Sequence, residues 1–231
     1  MCGIIGALNL GDKKLLHQMC DNLIHRGPDE EGIFDEKNIG LGIRRLSIID
    51  VNGGKQPISN ETQDIWTVFN GEIYNYKKIQ QELINRGHKF ETNSDTETIV
   101  HAYEEYGLNF VKKLRGMFSI AIWDYRQKKI ILIRDRIGIK PLYYWIKDNK
   151  LLFASELKAL VECDQIKLVI NKNAINDYLS FLYVPPPKTI FENIYKLLPG
   201  EMLIFNQDGK YETQTYWDIK FSNEHKTEEE Y

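Results

Sequence analysis

The chain begins Met1-Cys2-Gly3-Ile4-Ile5-Gly6, an apolar stretch that follows a cysteine directly behind the initiator methionine. If Met1 is removed, Cys2 carries both a thiol and a free α-amine. A cysteine attacks as its thiolate, and an α-amine is partly neutral near physiological pH, so the amine can accept the thiol proton as a general base. On its own a terminal cysteine is more often a small buried hydrophobe. The residues that follow decide between the two interpretations.

Composition and charge exclude several classes of protein. Of the 231 residues, 42% are hydrophobic and 27% are charged, which is ordinary for a globular chain with a sizeable core. The net charge of −3 gives no attraction to nucleic acid or to an anionic membrane. No apolar run approaches the roughly 18 residues of a membrane span, and the N-terminus lacks the features of a secretory signal. We therefore expect a cytoplasmic protein with no nucleic-acid and no membrane partner.

The three cysteines are Cys2, Cys20 and Cys163. Because they are widely separated and odd in number, they predict neither a disulfide framework nor a set of zinc ligands. A reducing cytoplasm would keep Cys2 as a thiol. The sequence leads us to expect no metal and no cofactor in this chain.

Strand-like runs and helical runs fall into separate blocks along the chain. Several strand-like runs pair as hairpins across polar turns, which favours antiparallel sheets covered by helices, an α+β fold, over a doubly wound βαβ fold. The capping-box sequence Ser94-Asp95-Thr96-Glu97 marks one helix start, and in the preceding helix Ile79, Leu83 and Ile84 are expected to point inward. The predicted helices cover residues 15–24, 75–86, 94–106, 155–162 and 173–182, and the predicted strands 3–9, 39–45, 65–70, 117–125, 129–134, 142–146, 151–154 and 202–206.

Three polar groups at the ends of these elements complement the terminal thiol. Arg45 ends a strand and is the residue type that clamps a carboxylate with two parallel hydrogen bonds. Asn70 and Gly71 follow another strand and supply an amide and a backbone N–H, the donors of an oxyanion hole. Asp95 lies in the first turn of a helix, where the macrodipole favours an ionised carboxylate that can receive an ammonium. Taken singly, these are an exposed arginine, a turn and a helix cap, but together they predict a site for a free amino acid with a side-chain carbonyl.

The ordered motifs identify a family. The chain closely resembles the glutaminase domain of glutamine-hydrolysing asparagine synthetase, one of the class II glutamine amidotransferases. Each motif alone is weak, but the ordered set is specific and covers the chain to about Trp217. The motifs are Met1-Cys2-Gly3-Ile4-Ile5-Gly6, His25-Arg26-Gly27-Pro28-Asp29, Arg45-Leu46-Ser47-Ile48-Ile49-Asp50, Asn70-Gly71-Glu72-Ile73-Tyr74-Asn75, Ser94-Asp95-Thr96-Glu97 and the run from Arg134 to Tyr144.

The resemblance implies a fold and a set of roles. The fold is that of an N-terminal nucleophile hydrolase, a four-layer αββα sandwich of two antiparallel sheets between helical layers. Cys2 would be the nucleophile and Arg26 a supporting residue, while Arg134, Asp135, Lys140 and Pro141 look structural. The expected glutamine-binding residues are Arg45, Leu46, Ser47, Ile48, Ile49, Asn70, Gly71, Glu72 and Asp95, with Asn70 and Gly71 as the oxyanion hole and Glu72 and Asp95 at the substrate ammonium.

The resemblance also implies the reaction and the partners. Residues 1–217 would be the amidotransferase domain, which hydrolyses L-glutamine to glutamate and ammonia through a Cys2 thioester, and residues 218–231 a polar linker. The ammonia would go to a C-terminal synthetase domain or a separate synthetase subunit that makes asparagine from aspartate. ATP and magnesium are expected only there, because these 231 residues hold no Ser-Gly-Gly-x-Asp-Ser-type loop for ATP.

Two alternatives stay open at this point. The ammonia could serve another acceptor, such as a sugar carboxylate or a peptide. The chain could also be a non-catalytic module of the same fold, although the presence of Cys2, Asn70, Gly71 and Asp95 argues against that.

Overall fold

The structure is a computed structural model that describes residues 1–10 and 12–221. Two six-stranded antiparallel sheets lie face to face and helices cover their outer faces, which confirms the α+β class. The strands are β1 (Gly3–Leu8), β2 (Glu30–Glu36), β3 (Ile39–Arg45), β4 (Ile58–Ser59), β5 (Ile65–Ile73), β6 (Gly116–Asp124), β7 (Lys129–Arg134), β8 (Tyr143–Lys147), β9 (Lys150–Ala154), β10 (Ile194–Lys196), β11 (Glu201–Asn206) and β12 (Tyr211–Thr215). The helices are α1 (Lys13–Asp21), α2 (Tyr76–Asn85), α3 (Asp95–Tyr106), α4 (Phe110–Lys113), α5 (Leu157–Leu160) and α6 (Lys172–Phe181), with a 3₁₀ turn at Gly107–Asn109.

Three apolar cores account for the four layers. The first sheet has the order β10-β8-β9-β1-β3-β2 and the second β12-β11-β7-β6-β5-β4. The middle core lies between the sheets, where Leu41 and Phe153 of one sheet belong to the same cluster as Leu132 and Phe205 of the other. One outer core packs α1 and α5 on the first sheet, and the other packs α2 and α3 on the second. The central strands, such as β1, therefore bury apolar side chains on both faces.

Strand β1 occupies a central position that fixes the start of the chain. It pairs with β3 on one side and with β9 on the other, and all six of its residues are buried. Its first residue, Gly3, is in register with Arg44 near the end of β3. Chain termini usually fray, but this one is held by backbone hydrogen bonds to the neighbouring strands β3 and β9. Cys2 is consequently placed at the mouth between the two sheets.

The structure differs from the predicted elements at the sheet edges. The strands that the periodicity did not predict are β2, β4, β10 and β12, and these are the four edge strands of the two sheets. They are short or largely exposed, so they lack the apolar run of a buried strand. In α2 the inward assignment of Ile84 is wrong, since its side chain is 45% exposed whereas Ile79 and Leu83 are buried. The polar linker predicted at residues 218–231 lies mostly outside the described residues, which end at residue 221.

The helix start at Ser94 forms only half of the predicted capping box. The Ser94 hydroxyl accepts the Glu97 backbone N–H at 3.3 Å. The Glu97 carboxylate does not return to Ser94 but accepts the backbone N–H groups of Glu91 and Thr92, at 2.8 and 2.7 Å. It thereby fixes the segment before α3. Within residues 1–10 and 12–221, no helix has the length and apolar character needed to cross a bilayer.

A buried carboxylate organises the segment between β7 and β8. Asp135 is fully buried, and its two oxygens accept backbone N–H groups of Phe118, Ile137, Ile139 and Lys140 at 2.9 to 3.3 Å. The neighbouring Arg134 guanidinium donates to three backbone carbonyls, those of Gly138, Lys140 and Leu197, at 2.7 to 2.8 Å. The structural role predicted for Arg134 and Asp135 is confirmed by these contacts.

We predict that Asp135→Asn lowers the free energy of unfolding by about 2–4 kcal/mol, because the new amide turns two hydrogens toward backbone donors that then lose their acceptor. Urea unfolding followed by circular dichroism measures the change. Asp148→Asn in the exposed β8–β9 turn is the matched control and should change stability little. Equal stabilities for the two variants would contradict this account of the segment.

Candidate active site

A cavity opens where the start of β1, the end of β3, β5 and the N-terminus of α3 meet. It encloses about 630 Å³ of space, its open mouth included. Most of the residues predicted from the sequence line it, although they come from four separate segments. The lining residues are Met1, Cys2, Arg45, Leu46, Ile48, Ile49, Gly54, Gln56, Phe69, Asn70, Gly71, Glu72, Ser94, Asp95, Thr96, Met117 and Lys140.

Cys2 is half-buried at one end of this cavity. Its sulfur lies 3.7 Å from the carbonyl oxygen of Leu46, and its own carbonyl oxygen accepts the Nε–H of Arg26 at 2.9 Å. Arg26 is held in turn by Glu156, 2.9 Å from Nη1. Arg26 therefore positions the backbone of Cys2 from behind and does not itself line the cavity. Glu156 had no signal in the sequence, because the partnership spans 130 residues.

Asn70 and Gly71 lie inside β5, so the turn that an Asn-Gly pair usually forms is absent here. The Asn70 side-chain Nδ2 is buried and has no hydrogen-bond partner. The backbone N–H groups of Phe69 and Ile73 donate to Gln56 Oε1 and Asp95 Oδ2, on the edge of β5 away from β6. By the alternation of an antiparallel ladder, the Gly71 N–H faces that same edge. Two donors therefore converge on the cavity.

Gly71 is required by the close approach of β6. A Cβ atom built on Gly71 would lie 2.1 Å from the carbonyl oxygen of Met117. Any side chain would push β5 away from β6 and move the Asn70 amide with it. The glycine is therefore a packing requirement as well as a source of an N–H.

Asp95, the first residue of α3, is buried and lines the cavity. Its carboxylate accepts the Ile73 N–H at 3.0 Å. Burial is the largest influence and, together with the negative charge of Glu72, raises the pKa of Asp95 to about 6. Backbone hydrogen bonds at the helix N-terminus act in the opposite direction but do not compensate. The expectation that the helix end favours the ionised form is therefore corrected, since desolvation outweighs it.

Arg45 is 4% exposed, and its terminal nitrogens are engaged within the protein. Nη1 donates to Glu30 Oε2 at 2.7 Å and to Val51 O at 3.3 Å. Nη2 donates to the carbonyl oxygens of Ile49 and Asp50, at 3.1 and 2.8 Å. In this arrangement Arg45 shapes the loop after β3. To form a bidentate pair with a substrate carboxylate, Arg45 would have to give up some of these hydrogen bonds.

Ser47 is the predicted binding residue that the structure leaves outside the cavity lining. Its backbone N–H donates to the Asp29 carboxylate at 2.8 Å, which turns this part of the loop toward the His25–Asp29 segment. The prediction that Ser47 lines the site is corrected by this geometry. Leu46, Ile48 and Ile49 of the same loop do line the cavity.

Lys140 and Gln56 line the cavity although neither was assigned to the site from the sequence. Lys140 is 3% exposed, with Nζ 2.9 Å from the Met1 sulfur. Burial, followed by the charge of Arg26, lowers the pKa of the Lys140 ammonium. Gln56 bridges β5 and α3, since its amide accepts from Phe69 N and donates to Thr96 Oγ1 at 3.1 Å. Lys140 belonged to a recognised motif but was interpreted as structural, whereas Gln56 carried no sequence signal.

Comparisons with known proteins agree with this site. A family model for the glutamine amidotransferase domain matches residues 1–217. The chain is 40% identical to the glutamine-hydrolysing asparagine synthetase 1 of Bacillus subtilis (strain 168), over 96% of this chain and 36% of that protein. It is also 36% identical to the amidase chry2 of Gibberella zeae, over 93% of this chain and 32% of that protein. The chain thus spans about a third of the length of these curated relatives.

Among solved structures, the glutamine phosphoribosylpyrophosphate amidotransferase from B. subtilis is similar with a TM-score of 0.68 and 20% identity. The alignment covers 94% of this chain and 49% of that one. At this identity the likeness shows the fold alone, and it confirms the N-terminal nucleophile hydrolase sandwich predicted from the motifs. With the family model matching nearly the whole chain and asparagine synthetases among its relatives, this chain belongs to the glutamine amidotransferase domain family.

Proposed function

We propose that this chain hydrolyses L-glutamine to glutamate and ammonia at the cavity around Cys2. The observation that carries the proposal is the meeting of three groups in one cavity: the Cys2 thiol, the unpartnered Asn70 amide and the buried Asp95 carboxylate. They match the three parts of glutamine that such an enzyme must address, namely the side-chain carbonyl carbon, its oxygen and the α-ammonium.

The proposed chemistry needs Cys2 as the first residue. Met1 precedes Cys2 and lies in the cavity, and removal of Met1 exposes the α-amine of Cys2. The amine then accepts the thiol proton, and the sulfur attacks the glutamine side-chain carbonyl. Asn70 Nδ2 and the Gly71 N–H stabilise the resulting oxyanion. The amine returns the proton to the leaving nitrogen, and the C–N bond of the tetrahedral intermediate breaks, which releases ammonia and leaves a γ-glutamyl thioester. Water then hydrolyses the thioester to glutamate and frees the thiol.

The charged end of glutamine is assigned to the other half of the cavity. Asp95 and Glu72 receive the α-ammonium, and the loop held by Arg45 receives the α-carboxylate. Because Asp95 is buried, its interaction with an ammonium is screened less than an exposed pair would be. This part of the site holds both charged groups of the amino acid and leaves its side chain pointing at Cys2.

We further propose that the ammonia passes to a synthetase part that makes asparagine, and that ATP and magnesium act there. The support is that this chain spans 36% of the B. subtilis asparagine synthetase. Helix α6 also exposes Tyr178, Leu179 and Phe181, and Ala174 is its only buried residue. Such an apolar surface is typical of an interaction site. The similarity to the amidase chry2 supports, as a second candidate, a different acceptor for the same ammonia.

We predict that Cys2→Ala abolishes ammonia release from glutamine, because the variant lacks the sulfur that forms the thioester. The processed, unsubstituted chain should gain one covalent adduct at residue 2 when treated with 6-diazo-5-oxo-norleucine, as measured by peptide mass spectrometry. Cys163→Ala removes a buried cysteine far along the chain and is the matched control, which should keep both activity and labelling. Ammonia release by the Cys2→Ala variant would contradict the mechanism.

We predict that Asn70→Ala lowers kcat for glutamine hydrolysis by about 10²–10³-fold with little change in KM, because an oxyanion donor acts mainly in the transition state. Steady-state ammonia release measures both constants. Ser119→Ala is the control, since Ser119 is the cross-strand partner of Asn70 and its hydroxyl is also buried without a partner, but it does not line the cavity. A loss confined to KM in Asn70→Ala would argue against the oxyanion role.

We predict that protonation of Asp95 lowers kcat/KM for glutamine by about tenfold between pH 7 and pH 5, in addition to the fall that protonation of the Cys2 amine causes over this range. Burial raises the pKa of Asp95 to about 6, so the carboxylate loses its charge below that pH and no longer attracts the substrate ammonium. In Asp95→Asn the acid limb of the profile should become shallower by that factor, because only the amine then titrates, and KM at neutral pH should rise. An unchanged acid limb in that variant would assign the titration to another group.

A further inference from the structure

Away from the cavity around Cys2, a cluster of side chains of metal-ligand type lies where α3 meets the β4–β5 turn and the α2–α3 connection. Its members are Glu61, His88, His101 and Glu104, and one ligand atom from each lies within 4.8 Å of the others. None of them lines the cavity around Cys2. We propose that these four side chains form a binding site for a divalent transition-metal ion, with zinc as the expected ion. The three cysteines of the sequence predict no set of zinc ligands, so this cluster departs from the expectation of no metal.

His101 supplies the strongest argument. Its side chain is 1% exposed, and its Nε2 lies 3.4 Å from Glu97 Oε1. Glu97 also accepts the backbone N–H groups of Glu91 and Thr92, which fix its carboxylate beside the ring. When Nε2 donates its hydrogen to Glu97, the Nδ1 of a neutral imidazole offers a lone pair to the cluster. That Nδ1 is buried without a hydrogen-bond partner and lies 3.3 Å from Glu61 Oε2.

His88 repeats the arrangement from the other side of Glu61. Its Nε2 lies 3.4 Å from Glu105 Oε2. Its Nδ1 lies 3.6 Å from Glu61 Oε1 and 4.0 Å from Glu104 Oε2. Each imidazole is thus backed by a carboxylate on Nε2 and presents Nδ1 to the centre of the cluster. Backing carboxylates of this kind accompany most histidine metal ligands.

The centre of the cluster therefore collects two imidazole Nδ1 atoms and two carboxylates. Facing acceptors repel one another unless a positive charge lies between them. A proton on a ring nitrogen would satisfy one contact at a time, whereas a single divalent ion satisfies all four. The backbone N–H of Lys89, which donates to Glu61 at 2.9 Å, and Asn60, which donates to Glu104 at 3.1 Å, hold the carboxylates in place.

The spacing and the donor set select the class of ion. Zinc bonds to nitrogen and oxygen ligands at about 2.0–2.1 Å, so the edges of a tetrahedral site measure about 3.3 Å. The shorter contacts of the cluster, 3.3 and 3.6 Å, are near that value. Two imidazoles with two carboxylates suit zinc and its first-row neighbours, whereas magnesium and calcium prefer oxygen ligands alone.

A bound ion would tie three segments that are separate in sequence. Glu61 comes from the β4–β5 turn and His88 from the α2–α3 connection, while His101 and Glu104 are three residues apart on α3 and therefore share one face of that helix. The ion would stabilise the folded chain, since the unfolded chain does not hold the four ligands together.

The test uses the full chain carrying Cys2→Ala, so that the terminal thiol cannot bind the ion. After treatment with a chelator, the chain is titrated with zinc by calorimetry and with cobalt by absorption spectroscopy, and its thermal unfolding is followed with and without zinc. We expect one equivalent of zinc to bind and to raise the unfolding temperature. We also expect a tetrahedral cobalt spectrum without a thiolate charge-transfer band.

Adding His101→Gln should abolish stoichiometric zinc binding and the rise in unfolding temperature. Because His101 is buried, Glu61→Gln provides a second variant at a more exposed position, with the same expected loss. His17→Gln is the matched control, since His17 pairs with Glu31 elsewhere on the surface. Absence of stoichiometric zinc binding in the parent chain, or binding that survives both His101→Gln and Glu61→Gln, would overturn the proposal.

Discussion

The structure depends on the burial of the first strand between two others. Strand β1 is hydrogen-bonded on both edges and buried on both faces, so the residue in front of it cannot fray as chain ends usually do. Arg26 adds a hydrogen bond to the Cys2 carbonyl and is itself paired with Glu156. The proposed nucleophile needs this restraint, because its sulfur would have to meet a carbonyl held by groups on the other sheet. The central place of β1 thus supplies the fixed position that the proposed chemistry requires of Cys2.

The facing sheet supplies the polar half of the cavity through one edge of β5. Along that edge the Phe69 and Ile73 N–H groups are taken by Gln56 and Asp95, and the strand position between them belongs to Gly71. The same hydrogen bonds that anchor Gln56 and Asp95 therefore set the distance between the proposed oxyanion donors and the proposed ammonium acceptor. This arrangement makes the charged form of Asp95 less stable, and the raised pKa of its carboxyl reflects that. The carboxylate proposed to bind the substrate ammonium is desolvated when the cavity is empty.

Helix α3 connects the two sites. Its first residue, Asp95, lines the cavity, Glu97 backs His101, and His101 and Glu104 lie in the proposed metal cluster. Nearly all of its first nine residues are buried whatever their polarity, so the position of the helix is set by polar contacts as well as by packing. An ion at its far end would hold the helix against the β4–β5 turn, and with it the carboxylate at its near end.

The sequence by itself determined the central strands and the family, and it predicted a reactive terminus. Those features are local: an apolar run predicts a buried strand, and ordered motifs identify relatives without any geometry. The four edge strands escaped prediction because their short or exposed sequences pair only when a neighbouring strand offers its free backbone edge. Only the tertiary structure decided that Arg45 binds its own loop, that Ser47 turns away, that Lys140 and Gln56 enter the cavity, and that Asp95 is hard to ionise. Each of these four features depends on burial or on contacts between residues that are distant in sequence. The residues next to them in the sequence therefore do not reveal them.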